Sequence, residues 1–394
     1  MIVSIFVEMS RCNRHHSMRS KQDEQNLAPN LAQARHIMII FHDFSVGGTE
    51  IIALRLACEW LRHGLKVTLV CGSEKGTLRQ TVPSGIEVIA LNPEVTRSTF
   101  SRLKMRKHLP AAIDAIAPDV VFLPGNFHLI LAGAVKRCHR RPKIIVKISN
   151  PLFRKTNFAL VRKFNAFCFS SMVKHVDWLV AMSSGLEQDA REASGTNKIS
   201  TIYDPNCVGT PASTSRIMPH RSEQLNILAV GRLERQKDFS LAIRAFAELV
   251  KKRSAHLTIL GEGNDRTKLE KLVDTLGLAE YVSMPGYRKS IQPALAKAHL
   301  ILITSRYEGG PAVAVEALEQ GVPVISTDCS YFLRELLNKP EYGCLVNGRH
   351  PSKIADKIDD FAKKQSSIQF NPAVATTRYQ MQHSVRSYIE LFNM

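Results

Sequence analysis

The sequence predicts an α/β protein made of two doubly wound parallel sheets, and three observations carry that expectation. Apolar strand-like runs alternate with helical patterns almost throughout the 394 residues, as they do where helices cross over between parallel strands. A stretch from 204 to 223, with Pro205, Gly209, Pro211, Pro219 and several Ser and Thr, interrupts that alternation with linker chemistry. The alternation restarts at Asn226, and the chain is long enough for two domains of ordinary size. The expected organisation is an N-terminal extension without order over 1–35, a first domain over 36–203, a linker over 204–223 and a second domain over 224–375. A helix over 376–394 is expected to pack back on the first domain.

Within the extension, Met1 to Met9 is apolar and is followed by basic and polar residues, the reverse of the order in a secretory signal. In the first domain, strands are expected at His36 to Phe41, Lys66 to Val70, Glu87 to Leu91, Val120 to Leu123, Ile144 to Ile148 and Trp178 to Ala181. Each is a short apolar run of the kind that is buried on both faces of a sheet. Helices are expected between them at Thr49 to His63, Arg102 to Ile116 and Phe158 to His175. The second series reads strand Ile227 to Val230, helix Phe239 to Lys252, strand Leu257 to Leu260, helix Asp265 to Leu276 and strands Val282 to Met284 and Leu300 to Thr304. A helix from Pro311 to Glu319 follows, since proline suits a first helical position and Gly321 suits the stop. Strands at Pro323 to Ser326 and around Leu345, then helical patterns near Ile354 and Val385, complete the chain.

Composition narrows the function classes. Hydrophobic content of 44% supports filled cores, and no run reaches the length of apolar sequence that a membrane helix needs. Eight scattered cysteines without a CxxC pair read as reduced thiols of a cytosolic protein. The formal charge of +18 is uneven: between Val95 and Val176, sixteen Lys and Arg face only Asp114 and Asp119, a local excess of +14. Such a stretch is a footprint for something anionic: a lipid surface, a lipid-linked phosphate or a nucleic acid. Within it, Phe158, Phe164, Phe167 and Phe169 with Arg162, Lys163 and Lys174 fit either a basic interfacial helix or a packed helix with a basic outer face.

Ligands of open α/β sheets sit beyond the carboxyl ends of the strands, so the turns there hold the candidate chemistry. Gly47-Gly48 opens a helix after the first strand, in a packing or a substrate-contacting role. Gly231-Arg-Leu-Glu-Arg-Gln-Lys237 places Arg232 and Lys237 at a strand end, as phosphate ligands or as solvated surface cations. Gly261-Glu262-Gly263 resembles the start of a dinucleotide fingerprint, but Arg266 breaks GxGxxG, which argues against a nicotinamide enzyme. Pro285-Gly286-Tyr287 can present backbone amides to a flat base or serve only as a turn.

The most informative segment runs from Ser305 to Gly321. It places Glu308 in a loop and Glu316 on the following helix, with Gly309 and Gly310 at the helix N-terminus, where bare amides favour a phosphate. The eight-residue offset, roughly 12 Å if helical throughout, lets the two carboxylates reach hydroxyls on opposite sides of a diphosphate, which reads as a nucleotide-sugar site. With no DxD triplet and no His/Cys cluster at zinc spacing, a metal-independent reaction without a further cofactor is expected.

These motifs resemble, in order, those of the retaining glycosyltransferases of family 4: Gly-Arg-Leu with a following Lys, a Gly-x-Gly turn, and Glu-x7-Glu in a Ser-x-Tyr-Glu-Gly setting. The resemblance runs from about Ile37 to the end and is strongest between Leu228 and Gly348. It implies the GT-B fold, two Rossmann-like domains facing across a cleft. It also implies that Arg232 and Lys237 hold the donor diphosphate, that Glu316 binds the ribose and that Glu308 contacts the transferred sugar. Gly309, Gly310, Glu262 and Gly286 are implied on the donor side, with Gly47 and Gly48 closing over it. Gly310 stands where the family usually has a bulky apolar residue, and Ala312 where it often has Asn. The family's first-domain histidine is not matched, and Asn126 or His128 are its candidate substitutes on the acceptor side. The expected activity is transfer from a UDP- or GDP-sugar to a glycan acceptor in cell-surface polysaccharide biosynthesis, and the +14 stretch points to a lipid-linked acceptor at the inner face of an anionic membrane, without nucleic acid. The alternatives are a sugar-nucleotide epimerase of the same architecture and an inactive GT-B binding protein.

Overall fold

The computed structural model describes residues 34–150, 152, 159–207, 209–215, 223–364 and 369–394. The extension expected over 1–35 therefore lies outside the described residues up to 33. The chain forms two compact units: residues 34–205 with Met381–Met394, and Asn206–Gln380.

The first unit holds a seven-stranded parallel sheet of β1 (His36–Phe41), β2 (Lys66–Cys71), β3 (Glu87–Ala90), β4 (Val120–Leu123), β5 (Lys143–Ile148), β6 (Trp178–Ala181) and β7 (Ile199–Thr201). Its order, β3-β2-β1-β4-β5-β6-β7, reverses direction between β1 and β4, which creates the crevice where such sheets bind ligands. One face packs Met38, Ile40, Val121, Leu123, Ile144 and Val146 against Met105, Leu109 and Ile113 of the helix Ser101–Ile116. Trp60, on the helix Gly48–Arg62, lies edge-on to Phe122 at 5.4 Å, Tyr388 at 5.5 Å and Phe392 at 5.0 Å between ring centroids. The last two rings belong to the C-terminal helix Met381–Asn393, so an aromatic knot fixes that helix to this unit.

The second unit holds a six-stranded parallel sheet of β8 (Leu225–Val230), β9 (Ala255–Leu260), β10 (Val282–Gly286), β11 (Leu300–Ile303), β12 (Val324–Thr327) and β13 (Gly343–Val346). Its order is β10-β9-β8-β11-β12-β13, with the direction reversing between β8 and β11. The helix Phe239–Val250 packs along Pro351–Lys364 on one face, burying Phe246, Ile354 and Ile358 with Ile227, Ile259 and Leu302.

Most expected bounds shift by a residue or two, and one shift bears on the site. Pro311 has φ −69° and ψ 105°, so it stays extended, and the helix is Ala312–Glu319. The Pro311 carbonyl accepts from Ala314 N at 2.9 Å, which makes the proline the flanking residue rather than the first helical one. Only Ala312 to Glu316 of the Glu308–Glu316 offset is therefore helical, and the all-helical spacing does not apply.

Candidate active site

Turns of the second unit interlock at the carboxyl ends of their strands. After β8 and β9, Gly231 N donates to Leu260 O at 2.9 Å and Leu233 N to Glu262 O at 2.9 Å, while Gly261 N donates to Gly286 O at 3.1 Å. Gly261 has φ +148°, and a Cβ there would lie 1.8 Å from Gly231 O, so only glycine permits this approach. Gly261→Ala is expected to destabilise the protein by about 2–4 kcal/mol through strain and overpacking, read as a lower midpoint in thermal or denaturant melts.

The turn after β8 is also tied to the one after β11, across the switch point. Arg306 N donates to Gln236 O at 2.8 Å and Gln236 Nε2 to Tyr307 O at 3.1 Å. Thr304 Oγ1 donates to the Asp238 carbonyl at 3.0 Å. These ties bring Lys237 and Glu308 together: Lys237 Nζ lies 2.5 Å from Glu308 Oε1, and Ser305 Oγ donates to the same oxygen at 2.6 Å. Glu308 N donates to Cys329 O at 2.9 Å, so the carboxylate is held from backbone and side chain alike. A small pocket lined by Val230, Lys237, Thr304, Ser305, Pro311 and Val313 opens at this point.

Asp238 supports the arrangement from an unusual conformation, φ 49° and ψ 52°. Its carboxylate does not cap the following helix but accepts from Arg306 at 2.8 Å and Arg349 at 2.7 Å. Arg349 also donates to the carbonyls of Thr304 and Ser305, both at 2.7 Å, which pins the end of β11. Ser305, Asp238 and Arg349 join the site only in the fold. Ser305 had a usable signal, a hydroxyl three residues before the carboxylate, whereas the ion pairs of Asp238 join positions far apart in the chain.

The other donor-side candidates are placed as follows. Arg232 shares the turn of Lys237, but its side chain is 68% exposed and pairs with Glu234 at 3.0 Å. Glu316 is buried on Ala312–Glu319, beside buried Val315 and Ala317. Gly309 and Gly310 are half-buried, and the Gly309 carbonyl accepts from Ser330 Oγ. Glu262 and Gly286 meet farther along the sheet: Gly286 has φ +82°, and a Cβ on it would lie 2.6 Å from Glu262 Oε1.

In the first unit, Gly47 precedes the helix Gly48–Arg62 in extended conformation, and a Cβ there would collide with Glu50 Oε2 at 2.3 Å. Gly48 has open space around its Cα. Burial raises the Glu50 carboxyl above its ordinary value. Nearby, burial alone would raise the Asp43 carboxyl, but Arg97, donating to it at 2.7 and 2.8 Å, and the Ser45 and His42 contacts hold it well below the usual range.

The two acceptor-side candidates are neighbours with different surroundings. Asn126 is occupied in clamping the turn after β5, accepting from Ser149 N at 2.7 Å and Asn150 N at 3.2 Å and donating to Asn150 O at 2.9 Å. His128 is buried with both ring nitrogens unpartnered among the described residues. Burial, with Arg102 and His42 close by, pushes its imidazole down to about 3, so it is neutral at physiological pH.

The basic stretch is less uniformly a surface feature than its composition implied. Lys147 is buried in an ion pair with Asp204, and Lys143 donates to the carbonyls of Leu391 and Phe392. Arg154, Lys155 and Phe158 lie outside the described residues, and Phe169 is buried. Among the described residues no group of three or more His, Cys, Asp or Glu is arranged to hold a metal ion.

Comparison with known proteins places both units. The family model described as glycosyl transferases group 1 matches residues 213–374, and that described as glycosyl transferase 4-like domain matches 47–206. The poly(glycerol-phosphate) alpha-glucosyltransferase of Bacillus subtilis is 26% identical over 200 residues, covering 50% of this chain and 29% of that protein. In Campylobacter jejuni, the N-acetylgalactosamine-N,N'-diacetylbacillosaminyl-diphospho-undecaprenol 4-alpha-N-acetylgalactosaminyltransferase is 31% identical over 201 residues, covering 50% of this chain and 53% of that protein. The match thus spans well under two thirds of either relative. Among solved structures, Anabaena Alr3699/HepE in complex with UDP and glucose superposes with a TM-score of 0.71 at 17% identity, over 91% of this chain and 99% of that one.

Proposed function

From the premise that the chain belongs to the group 1, 4-like glycosyl transferases and has their GT-B fold, we propose that it is a retaining enzyme. It transfers a sugar from a nucleoside-diphosphate sugar, UDP- or GDP-linked, to a lipid-linked glycan acceptor. The observation that carries this reading is the contact of Lys237 with Glu308 at the β8/β11 switch point, next to the helix that bears Glu316.

In this reading the donor diphosphate lies over the turn after β8, where Lys237, with Arg232 swinging from Glu234, offsets the charge that grows on the leaving group. Glu316 takes the ribose hydroxyls and Glu308 the transferred sugar, with Gly309 and Gly310 offering backbone amides. Glu262 and Gly286 line the base end. The bond from the anomeric carbon to the diphosphate breaks as the acceptor oxygen attacks the same face, and the acceptor proton leaves with the diphosphate. No metal takes part. Of the two acceptor-side candidates we favour His128, neutral and with no ring-nitrogen partner among the described residues, because Asn126 is already occupied. The names of both relatives include phosphate-bearing acceptors, poly(glycerol-phosphate) in one and a diphospho-undecaprenol in the other, which supports an anionic acceptor and, from the second, a lipid-linked one.

A thermal-shift and hydrolysis screen against UDP-, GDP- and ADP-sugars, each with and without EDTA, tests the proposal. One donor class should raise the melting temperature and be hydrolysed slowly in both conditions. No shift with any of them, or a shift abolished by EDTA, would count against it.

A further inference from the structure

Exposed aromatic side chains concentrate on one part of the first unit. Phe100 (66% exposed), Phe127 (66%), Phe164 (66%) and Phe167 (72%) stand in solvent, with Leu103 and Val161 beside them. Phe100 and Leu103 are three residues apart at the start of the helix Ser101–Ile116, so they share a face. Val161, Phe164 and Phe167 repeat that spacing along the helix Ala159–Val173 and form an outward stripe. Both helices pack on the short 3-10 helix Asn126–Leu131, which carries Phe127, and the Arg102 guanidinium lies 4.9 Å from the Phe127 ring centroid. The two aromatic groups are therefore carried by elements that meet at Asn126–Leu131.

Basic residues surround it. Lys104, Lys107, Lys163 and Lys174 are exposed, and Arg102 and Arg106 are half-exposed. Within the three elements the only acidic residue is Asp114, near the far end of its helix and bound to His139 at 3.0 Å. Large apolar side chains left in water on a monomer mark an interaction surface, and a ring of lysine and arginine around phenylalanine matches an interface of acyl chains below and phosphates above. A single-stranded nucleic acid would account for the cations and could stack on the rings, but not for the exposed aliphatic Leu103 and Val161 in the same stripes.

We propose that this surface, Phe100, Leu103, Phe127, Val161, Phe164 and Phe167 with their basic rim, seats the protein on an anionic bilayer by shallow insertion of the aromatic rings. The proposal rests on the membrane-side acceptor of the preceding reading and names the residues that meet the lipid. Two of the phenylalanines, Phe164 and Phe167, come from the helix that the sequence analysis singled out. Phe100 and Phe127 are contributed by elements that only the fold brings beside it.

The test is co-sedimentation of the full chain with vesicles of phosphatidylcholine alone or mixed with phosphatidylglycerol. The wild-type protein should bind the mixed vesicles, bind the neutral ones weakly and lose most of its binding at high salt. A variant carrying Phe100→Ser, Leu103→Ser, Phe164→Ser and Phe167→Ser should bind at least about tenfold more weakly, with an unchanged melting temperature and unchanged hydrolysis of the nucleotide sugar in vesicle-free solution. The proposal is overturned if the wild type ignores both vesicle types, or if the variant binds them as the wild type does. It is also overturned if the wild type is a dimer in solution that the substitutions split, since the surface would then be covered by a second copy. Hydrolysis read in the same samples without vesicles separates a failure of this surface from a failure of the donor site.

Discussion

Replacing Lys237 with methionine is expected to lower turnover of the nucleotide sugar by about 10³-fold. The ammonium lies in the turn that a diphosphate would overlie, and it is the group closest to Glu308, at 2.5 Å. Removing it withdraws the positive charge that offsets the departing diphosphate. It also leaves the Glu308 carboxylate, largely buried, with Ser305 Oγ as its remaining side-chain donor and repelling the incoming anion. Methionine keeps the apolar stem, so the loss falls on charge rather than on packing. Adding Glu308→Gln to Lys237→Met should recover part of the donor affinity, because the stranded carboxylate is then gone, but little of the rate. Single-turnover release of nucleoside diphosphate, with melting curves alongside, separates the two effects, and wild-type turnover in Lys237→Met would remove the lysine from the mechanism.

Glu316→Ala should act mainly on donor affinity, weakening it about 10- to 100-fold through the loss of charge-assisted hydrogen bonds to two hydroxyls. Glu316 is buried on the helix Ala312–Glu319, where a carboxylate repays its desolvation only through polar contacts. Glu316→Gln retains the shape and should fall between wild type and alanine. A rise in the donor KM with kcat at saturation changed only a few-fold would match a ribose contact present in ground and transition states alike. A fall in kcat at unchanged KM would place the residue at the reacting carbon instead.

The sheets were largely legible because parallel strands are covered on both faces and so read as short apolar runs. His36 to Phe41, Val120 to Leu123 and Trp178 to Ala181 have the bounds expected of them. Short elements escaped for a physical reason. Gln292–Leu295 and Pro372–Thr376 are too brief to show a helical period. The helix Ser184–Ser194 did carry signals, a Ser183 cap on Leu186 N and Gly195 at φ +70° after its end, that an apolar-run reading passes over. At the candidate site, a loop carboxylate, a strand-end lysine and a helix carboxylate were recognisable from order and spacing. The Asp238–Arg306–Arg349 network was not, because its members come from three different strand ends and nothing local records their pairing. The same limit applied to the aromatic surface, where Phe164 and Phe167 are visible as a helical stripe but Phe100 and Phe127 join them only through tertiary packing.

The most direct measurement is a calorimetric titration of UDP and of GDP onto the wild type, Lys237→Met and Glu316→Ala under identical conditions. The account predicts that one nucleotide binds the wild type at a single site and that each substitution weakens it by about tenfold or more. Equal affinity in all three proteins, or no binding of either nucleotide to the wild type, would contradict it.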